Sequence, residues 1–203
     1  MLDYIVDMDR SPPDDVYLQH TEVMSMFKRK YTFRILFRAR RQGYFIRSDL
    51  FPFNINGMMT NGYSSSICPF RWHDEDIAWN FHVNDVLDFN LLANPTVKKN
   101  GKRRQIEGLE NQKNWLDRKI KSAGAELFYR KIKFSGVELL EPITAIQSHR
   151  SGKKGSHQIR MGAVEYIGKL IVKDTDRFIA AYEAGFGSGK RVGFGMMRCE
   201  LER

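Results

Sequence analysis

Apolar and polar positions change period several times along the chain, and the order of those periods predicts its elements. Leu2 to Val6 is a short apolar run that reads as a strand. Ser11-Pro12-Pro13-Asp14-Asp15 is a breaker with early acids that suit a helix dipole, and Val16, Val23, Met24 and Phe27 then fall near helical spacing. Phe33 to Arg40 and Tyr44 to Asp49 read as a hairpin turned at Gln42-Gly43. Residues 51 to 75 hold Asn56-Gly57, Asn61-Gly62 and a serine run, all turn chemistry, with a short irregular helix expected among them. Ile77, Trp79, Phe81 and Val83 alternate with Ala78, Asn80, His82 and Asn84, which predicts a strand.

The second half repeats that order. Val86 to Val97 is strand-like and closed by Asn94-Pro95, and Lys98 to Arg104 reads as a basic loop. Leu109, Trp115, Leu116 and Ile120 predict an amphipathic helix over Glu107 to Lys121, closed by Gly124. Gly136 to Gln147 and Gln158 to Val172 read as strands around a basic hairpin tip, His149 to His157. Thr175 to Ala184 is a last helix capped by Asp174 or Thr175, and Phe194 to Leu201 a last strand. The expected class is α+β, with two tandem ferredoxin-like (βαββαβ, RRM-like) domains at 1–84 and 85–203, joined near Asn84-Asp85.

The 203 residues are 42% apolar and 12% aromatic, enough for a packed core. The formal charge of +9 narrows the partners: a polyanion is expected, and nucleic acid is the commonest. Cys68 and Cys199 lie too far apart in sequence to form a metal pair or a disulfide framework. The first residues carry acids where a signal peptide carries bases, and no apolar run reaches the roughly 18 residues of a membrane span. A soluble, cytoplasmic protein without a membrane partner is the expectation.

Candidate chemistry clusters at both ends of the chain. Gly185-Phe186-Gly187-Ser188-Gly189-Lys190-Arg191-Val192-Gly193-Phe194-Gly195 holds five glycines and two cations, Lys190 and Arg191. It fails the Walker spacing and the strand-to-helix context of a dinucleotide loop, and it misses the RNA-recognition register by one residue. Close approach to phosphate and a simple helix C-cap with a tight turn both fit it. On the first helix, Tyr17 and His20 share a face, and an imidazole titrates near neutrality. Lys28 or Arg29, about two turns on, is a candidate cation for a phosphorane. His73, Asp74, Glu75 and Asp76, with His82 and Asp85, form a competing metal-site candidate. For RNA binding the better signals are basic: Lys98, Lys99, Lys102, Arg103 and Arg104 in one loop, and Arg150, Lys153, Lys154 and His157 at the hairpin tip.

Asp15-Val16-Tyr17-Leu18-Gln19-His20, Leu91-Leu92-Ala93-Asn94-Pro95-Thr96 with the helix at Asn111-Gln112-Lys113 to Trp115-Leu116, and Gly185-Phe186-Gly187 through Gly193-Phe194-Gly195-Met196 occur in that order. Together they resemble the CasE-type CRISPR repeat-RNA endoribonucleases, of the repeat-associated superfamily found in type I-E Cascade. The resemblance implies metal-independent cleavage of a CRISPR repeat transcript 3′ of its stem-loop, by 2′-hydroxyl attack, leaving a 2′,3′-cyclic phosphate and a 5′-hydroxyl. It implies catalytic His20 and Tyr17, with Lys28 chosen as the phosphate cation, and a stem grip at Arg150 to His157. It also implies retention of the mature CRISPR RNA, other Cascade subunits as partners, and no metal or small-molecule cofactor. A non-catalytic RNA-binding subunit of a CRISPR ribonucleoprotein is the alternative.

Overall fold

A computed structural model of the chain describes residues 2–8, 10–27, 34–49, 65–69, 80–129, 131–134, 137–140 and 143–201. Strands β1 (Leu2–Met8), β2 (Ile35–Arg40), β3 (Gly43–Ser48) and β4 (Ser65–Pro69) form an antiparallel sheet in the order β2-β3-β1-β4. Between β1 and β2 runs helix α1 (Val16–Ser25). The period-2 alternation of the strands puts Tyr4, Val6, Met8, Phe37, Tyr44 and Ile46 on the face that buries Val23, Met26 and Phe27. Asp3 and Arg47, one step out of that alternation, belong to the opposite face.

The second half opens with β5 (Val86–Ala93), a hairpin of β6 (Thr96–Lys99) and β7 (Lys102–Gln105), and helix α2 (Leu109–Ser122). Then come β8 (Ala125–Phe128), a separate hairpin of β9 (Lys131–Phe134) and β10 (Val137–Leu140), β11 (Thr144–Lys154) and β12 (His157–Val172). Helix α3 (Thr175–Ala184), a 3-10 turn over Lys190–Val192 and β13 (Met197–Leu201) complete it. The main sheet runs β11-β12-β5-β13. β8 pairs with Lys169 to Val172 and β11 with His157 to Ile167, so the two lie end to end along β12 and share the place of one strand. Both sheets therefore carry the ferredoxin-like order, with helices α2 and α3 covering a core of Leu87, Phe89, Trp115, Leu116, Tyr166 and Phe178.

Four sequence expectations are corrected. Ser65–Pro69 pairs with the free edge of β1, and of the strand expected at 77–83 the described residues 80–83 are not strand, while 77–79 lie outside the described residues. Phe81 precedes a turn at Val83-Asn84 and packs edge-on against Phe178 and Tyr182, so its burial comes from the second core rather than from a strand face. Lys98 to Arg104 is a hairpin rather than a loop, because Asn100 and Gly101 take positive φ and make a two-residue turn. The expected strand at 136–147 is split between β10 and β11, and β8 and β9 precede it. The basic tip expected over His149 to His157 is paired strand up to Lys154↔His157, leaving only Gly155-Ser156 as the turn. Residues 51–64 and 70–79, where a second helix was expected, lie outside the described residues. Among the described residues no helix is long and apolar enough to cross a membrane.

One ion locks the two sheets together. The Arg47 guanidinium is fully buried. It donates to Asp3 at 2.7 and 2.9 Å, to the Tyr182 carbonyl at 2.8 Å and to the Met197 carbonyl at 3.0 Å, and it lies 3.6 Å from the Tyr182 ring centroid. Burial works against its charge, but the facing Tyr182 and Asp3 groups outweigh it and hold its pKa above the usual value.

Candidate functional site

Helix α1 presents its chemistry because of how it starts. The Asp15 carboxylate accepts from the Tyr17 and Leu18 N–H groups at 2.8 and 3.2 Å, an N-cap that sets the helix register. That register buries Val16, Gln19 and Val23 and leaves Tyr17 and His20 on the adjoining flank, both half-buried. The His20 ring stacks beside Phe37 of β2, with centroids 6.5 Å apart at 25°. The exposed Arg191 lies close by. Burial and the Arg191 charge push the imidazole below its ordinary pKa, while a hydrogen bond with the Arg191 backbone works the other way. His20 is therefore mainly neutral at pH 7.

The glycine segment brings Arg191 there. Gly189 and Gly193, both left-handed, flank the 3-10 turn. Gly195 shows why a side chain fails: its φ is +84°, and a Cβ would stand 2.5 Å from the Phe186 carbonyl oxygen. Its N–H instead donates to Leu92, and its carbonyl accepts from Phe186, each at 2.8 Å. Val192 and Phe194 are buried with Val16, Leu92 and Ala163. The segment thus packs the helix as well as displaying a cation. Lys190 does not serve as an open phosphate ligand, because its Nζ donates to the Ala184 carbonyl at 2.6 Å and caps α3. Burial, then the charges of Arg34 and Lys119, lower its pKa.

Hairpin β11–β12 docks on the same helix. The Lys153 N–H donates to the Asp15 carboxylate at 2.6 Å. Gly152 lies under the first turn, where an added Cβ would be 2.7 Å from Tyr17 Cδ2 and 2.8 Å from Val16 Cγ2. Arg150, placed at an exposed tip by the sequence reading, is half-buried instead. It donates to Gln19 Oε1 at 3.3 Å, and its guanidinium carbon lies 6.0 Å from the Phe194 centroid. Burial and the neighbouring Arg38 lower its pKa. The strand pleat explains the difference: Arg150 and Gly152 share the face turned to α1. Lys153 and His157 are exposed near the turn, and Lys154 pairs with His157 across it.

Lys98, Lys99, Lys102, Arg103 and Arg104 are all exposed on β6–β7, with no ion-pair partner among the described residues. The base of that hairpin is tied to the glycine segment: Ser188 Oγ lies 3.0 Å from Thr96 Oγ1 and donates to Asn94. Lys28 lies outside the described residues, as do His73, Asp74, Glu75 and Asp76. His82 is exposed, 3.7 Å from Asp85. The structure thus gathers Tyr17, His20, Arg150, Lys153 and Arg191 around α1 and sets the β6–β7 cations on a projection of their own. Gln19 and Gly152 are contributors that the sequence reading missed. Gln19 carried no signal beyond its neighbours, and Gly152 looked like tip punctuation.

Gly152→Ala is expected to lower stability by about 1–3 kcal/mol, the usual cost of overpacking a tight contact. A urea titration measures it, and the substitution Ser156→Ala at the exposed turn next to it, which adds no Cβ, separates crowding from general hairpin effects.

Similar proteins share this fold. The family described as CRISPR associated protein matches residues 5–200. The CRISPR-associated endoribonuclease Cse3 of Thermus thermophilus is 27% identical over 143 residues. That match covers 69% of this chain and 65% of the relative, so the chain spans just under two thirds of it. The structure of Thermus thermophilus Cse3 bound to an RNA representing a pre-cleavage complex superposes with a TM-score of 0.74 at 18% identity, covering 98% of this chain and 99% of that one. Cas6e of Escherichia coli K-12 superposes at 0.68 and 19% identity over the whole of both chains.

Proposed function

The chain belongs to the CRISPR-associated protein family matched over residues 5–200, and on that premise we propose that it is an endoribonuclease that cuts CRISPR repeat RNA. The observation that carries the reading is His20: a mainly neutral, half-buried imidazole on a capped helix, beside an exposed arginine and next to a basic hairpin. Neutral imidazole accepts a proton, so His20 takes it from the ribose 2′-hydroxyl as that oxygen attacks the adjacent phosphate. Tyr17, on the same flank, orients the reacting groups. Arg191 is the described cation best placed for the charge that builds on the phosphorane, in the role first given to Lys28. Water protonates the leaving 5′-oxygen, which departs as a hydroxyl; the 3′ end closes to a 2′,3′-cyclic phosphate, and the His20 imidazolium returns its proton to solvent. The proton, the attacking oxygen and the leaving group all balance without a metal.

The RNA is held by charge. Lys153, Lys154 and His157 at the β11–β12 turn grip the repeat stem, and the β6–β7 cations extend the basic surface along it. The cleaved RNA stays bound and enters Cascade with the other subunits, in the cytoplasm. Two units divide near Asn84-Asp85, a reading supported by the left-handed Asn84, whose N–H closes onto Val172.

The test is incubation of the protein with its repeat stem-loop in excess EDTA, with end analysis of the products. Cleavage with a cyclic phosphate is expected. The pH profile gives a second readout. Because the folded protein disfavours the protonated imidazole, kcat/KM stays high as pH falls to the ordinary histidine value of 6.5 and drops only below it. An acid limb above 6.5, or a requirement for added divalent metal, overturns the reading.

A further inference from the structure

One carboxylate holds two elements at once. Asp15 Oδ1 caps α1 through the Tyr17 and Leu18 N–H groups. Asp15 Oδ2 accepts from the Lys153 N–H at 2.6 Å, 138 residues further along the chain. Slight burial works against the ionised form, but these three donors outweigh it and hold the carboxyl below its usual range. No other capping side chain offers both contacts, since serine and threonine have one oxygen and asparagine has one oxygen beside a donor NH2. The seam has little slack: a Cβ on Gly152 would come within 3.0 Å of Asp15 Oδ1. Beyond it, β11 is the edge strand of its sheet, and residues 155–158 are exposed. Besides the ladder to β12, the Arg150–Gln19 hydrogen bond and the packing of Gly152 under Val16 and Tyr17 hold the hairpin to α1, and the Asp15 contact is the one that reaches the helix's first-turn N–H groups. Asp15, Ser151, Gly152, Lys153, Ser156 and Gln158 line an open recess of about 370 Å³ along that seam.

We propose that Asp15 is a positioning residue that relays the placement of the β11–β12 hairpin, and of the RNA on it, to Tyr17 and His20. This rests on the nuclease reading above. The hairpin carries the stem contacts and α1 carries the proton acceptor, and a single side chain joins the Lys153 backbone to the first turn of that helix. A shift of the Lys153 N–H moves the helix start, and a misplacement of about 1 Å at a reacting group costs on the order of a hundredfold in rate. The stem is thereby sensed before the chemistry.

Two substitutions separate relay from cap. Asp15→Asn keeps the capping oxygen and turns an NH2 towards the Lys153 N–H, and Asp15→Ser keeps a cap without a second oxygen; both residues cap about as well as aspartate. Full-length wild type and both variants are compared on a stem-loop blocked by a 2′-deoxy substitution and on the unmodified RNA. Both variants are expected to bind the blocked RNA within about threefold of wild type and to melt within a few degrees of it, while single-turnover cleavage at saturating RNA falls about tenfold to a hundredfold. In imidazole NMR, the His20 signal that moves when wild type binds the blocked RNA stays in place in Asp15→Asn. Wild-type cleavage by either variant at saturating RNA overturns the proposal. So does a rate loss matched by equal loss of affinity or melting temperature, which leaves Asp15 an ordinary cap. If wild type itself does not cleave, the nuclease reading falls, and the histidine signal alone decides the relay.

Discussion

Replacing His20 with alanine is expected to slow repeat-RNA cleavage by about 10²–10⁴-fold, the range of a positioned proton acceptor, while RNA affinity stays within about threefold. The split follows from geometry. The cations proposed to grip the RNA sit on β11–β12 and β6–β7, while His20 lies near Phe37 and Arg191 and carries little charge at pH 7. Removing a neutral ring leaves the electrostatic term untouched. Single-turnover rates at saturating RNA, paired with filter binding in EDTA, measure both quantities. A variant that cleaves at the wild-type rate removes His20 from the chemistry, and the chain then reads as an RNA-binding subunit. Equal losses in rate and affinity would assign the ring to binding.

Arg47→Met is expected to destabilise the protein by about 3–5 kcal/mol, the cost of leaving one half of a buried ion pair. A domain has only about 5–15 kcal/mol in hand, so much of the native population would be lost on warming. The magnitude comes from what remains after the change. Asp3, whose side chain is only 7% exposed, would lose the guanidinium that pairs with both its oxygens, and the carbonyls of Tyr182 and Met197 would lose their donor. Those two carbonyls belong to α3 and β13, and Arg47 belongs to β3, so the loss falls on the contact between the two sheets. Urea unfolding reads the effect directly. Arg40→Ala, which breaks a partly exposed pair with Asp7 at 2.9 Å, is expected to cost at most about 1 kcal/mol. Near-equal costs for the two variants would mean that the buried ion does not hold the halves together.

Much of this was legible in the sequence, for physical reasons that can be named. The α1 start was readable because Pro, Asp and helical spacing act within one turn, and the same local cues gave α2, α3 and the Asp174 cap. β12 was readable because its residues are rich in Ile, Val, Tyr and Leu and hold no proline, even with Gly162 and Gly168 among them. The misses share a cause, in that they depend on partners distant in sequence. The alternation at 77–83 looked like a strand, yet Phe81 is buried by Phe178 and Tyr182. Ser65–Pro69 looked like turn chemistry, yet β1 offered it a free edge. At the site, Tyr17, His20 and Arg191 were found by residue type. Arg150 and Lys190 were also named, but a basic residue in a loop is read as exposed, and only the fold shows the first turned to Gln19 and the second spent on the end of α3. Arg47 gave no signal, because nothing local distinguishes a buried arginine from its exposed neighbours.

The division of one strand position between β8 and β11 has a further consequence. Each piece finds its own stretch of β12, and among the described residues β9 and β10 pair only with each other. The ladder is therefore indifferent to how much polypeptide lies between Phe128 and Thr144. Homologues are free to differ in length there, and a fluorescent label or affinity tag spliced into that excursion would report on assembly without touching the register of either sheet.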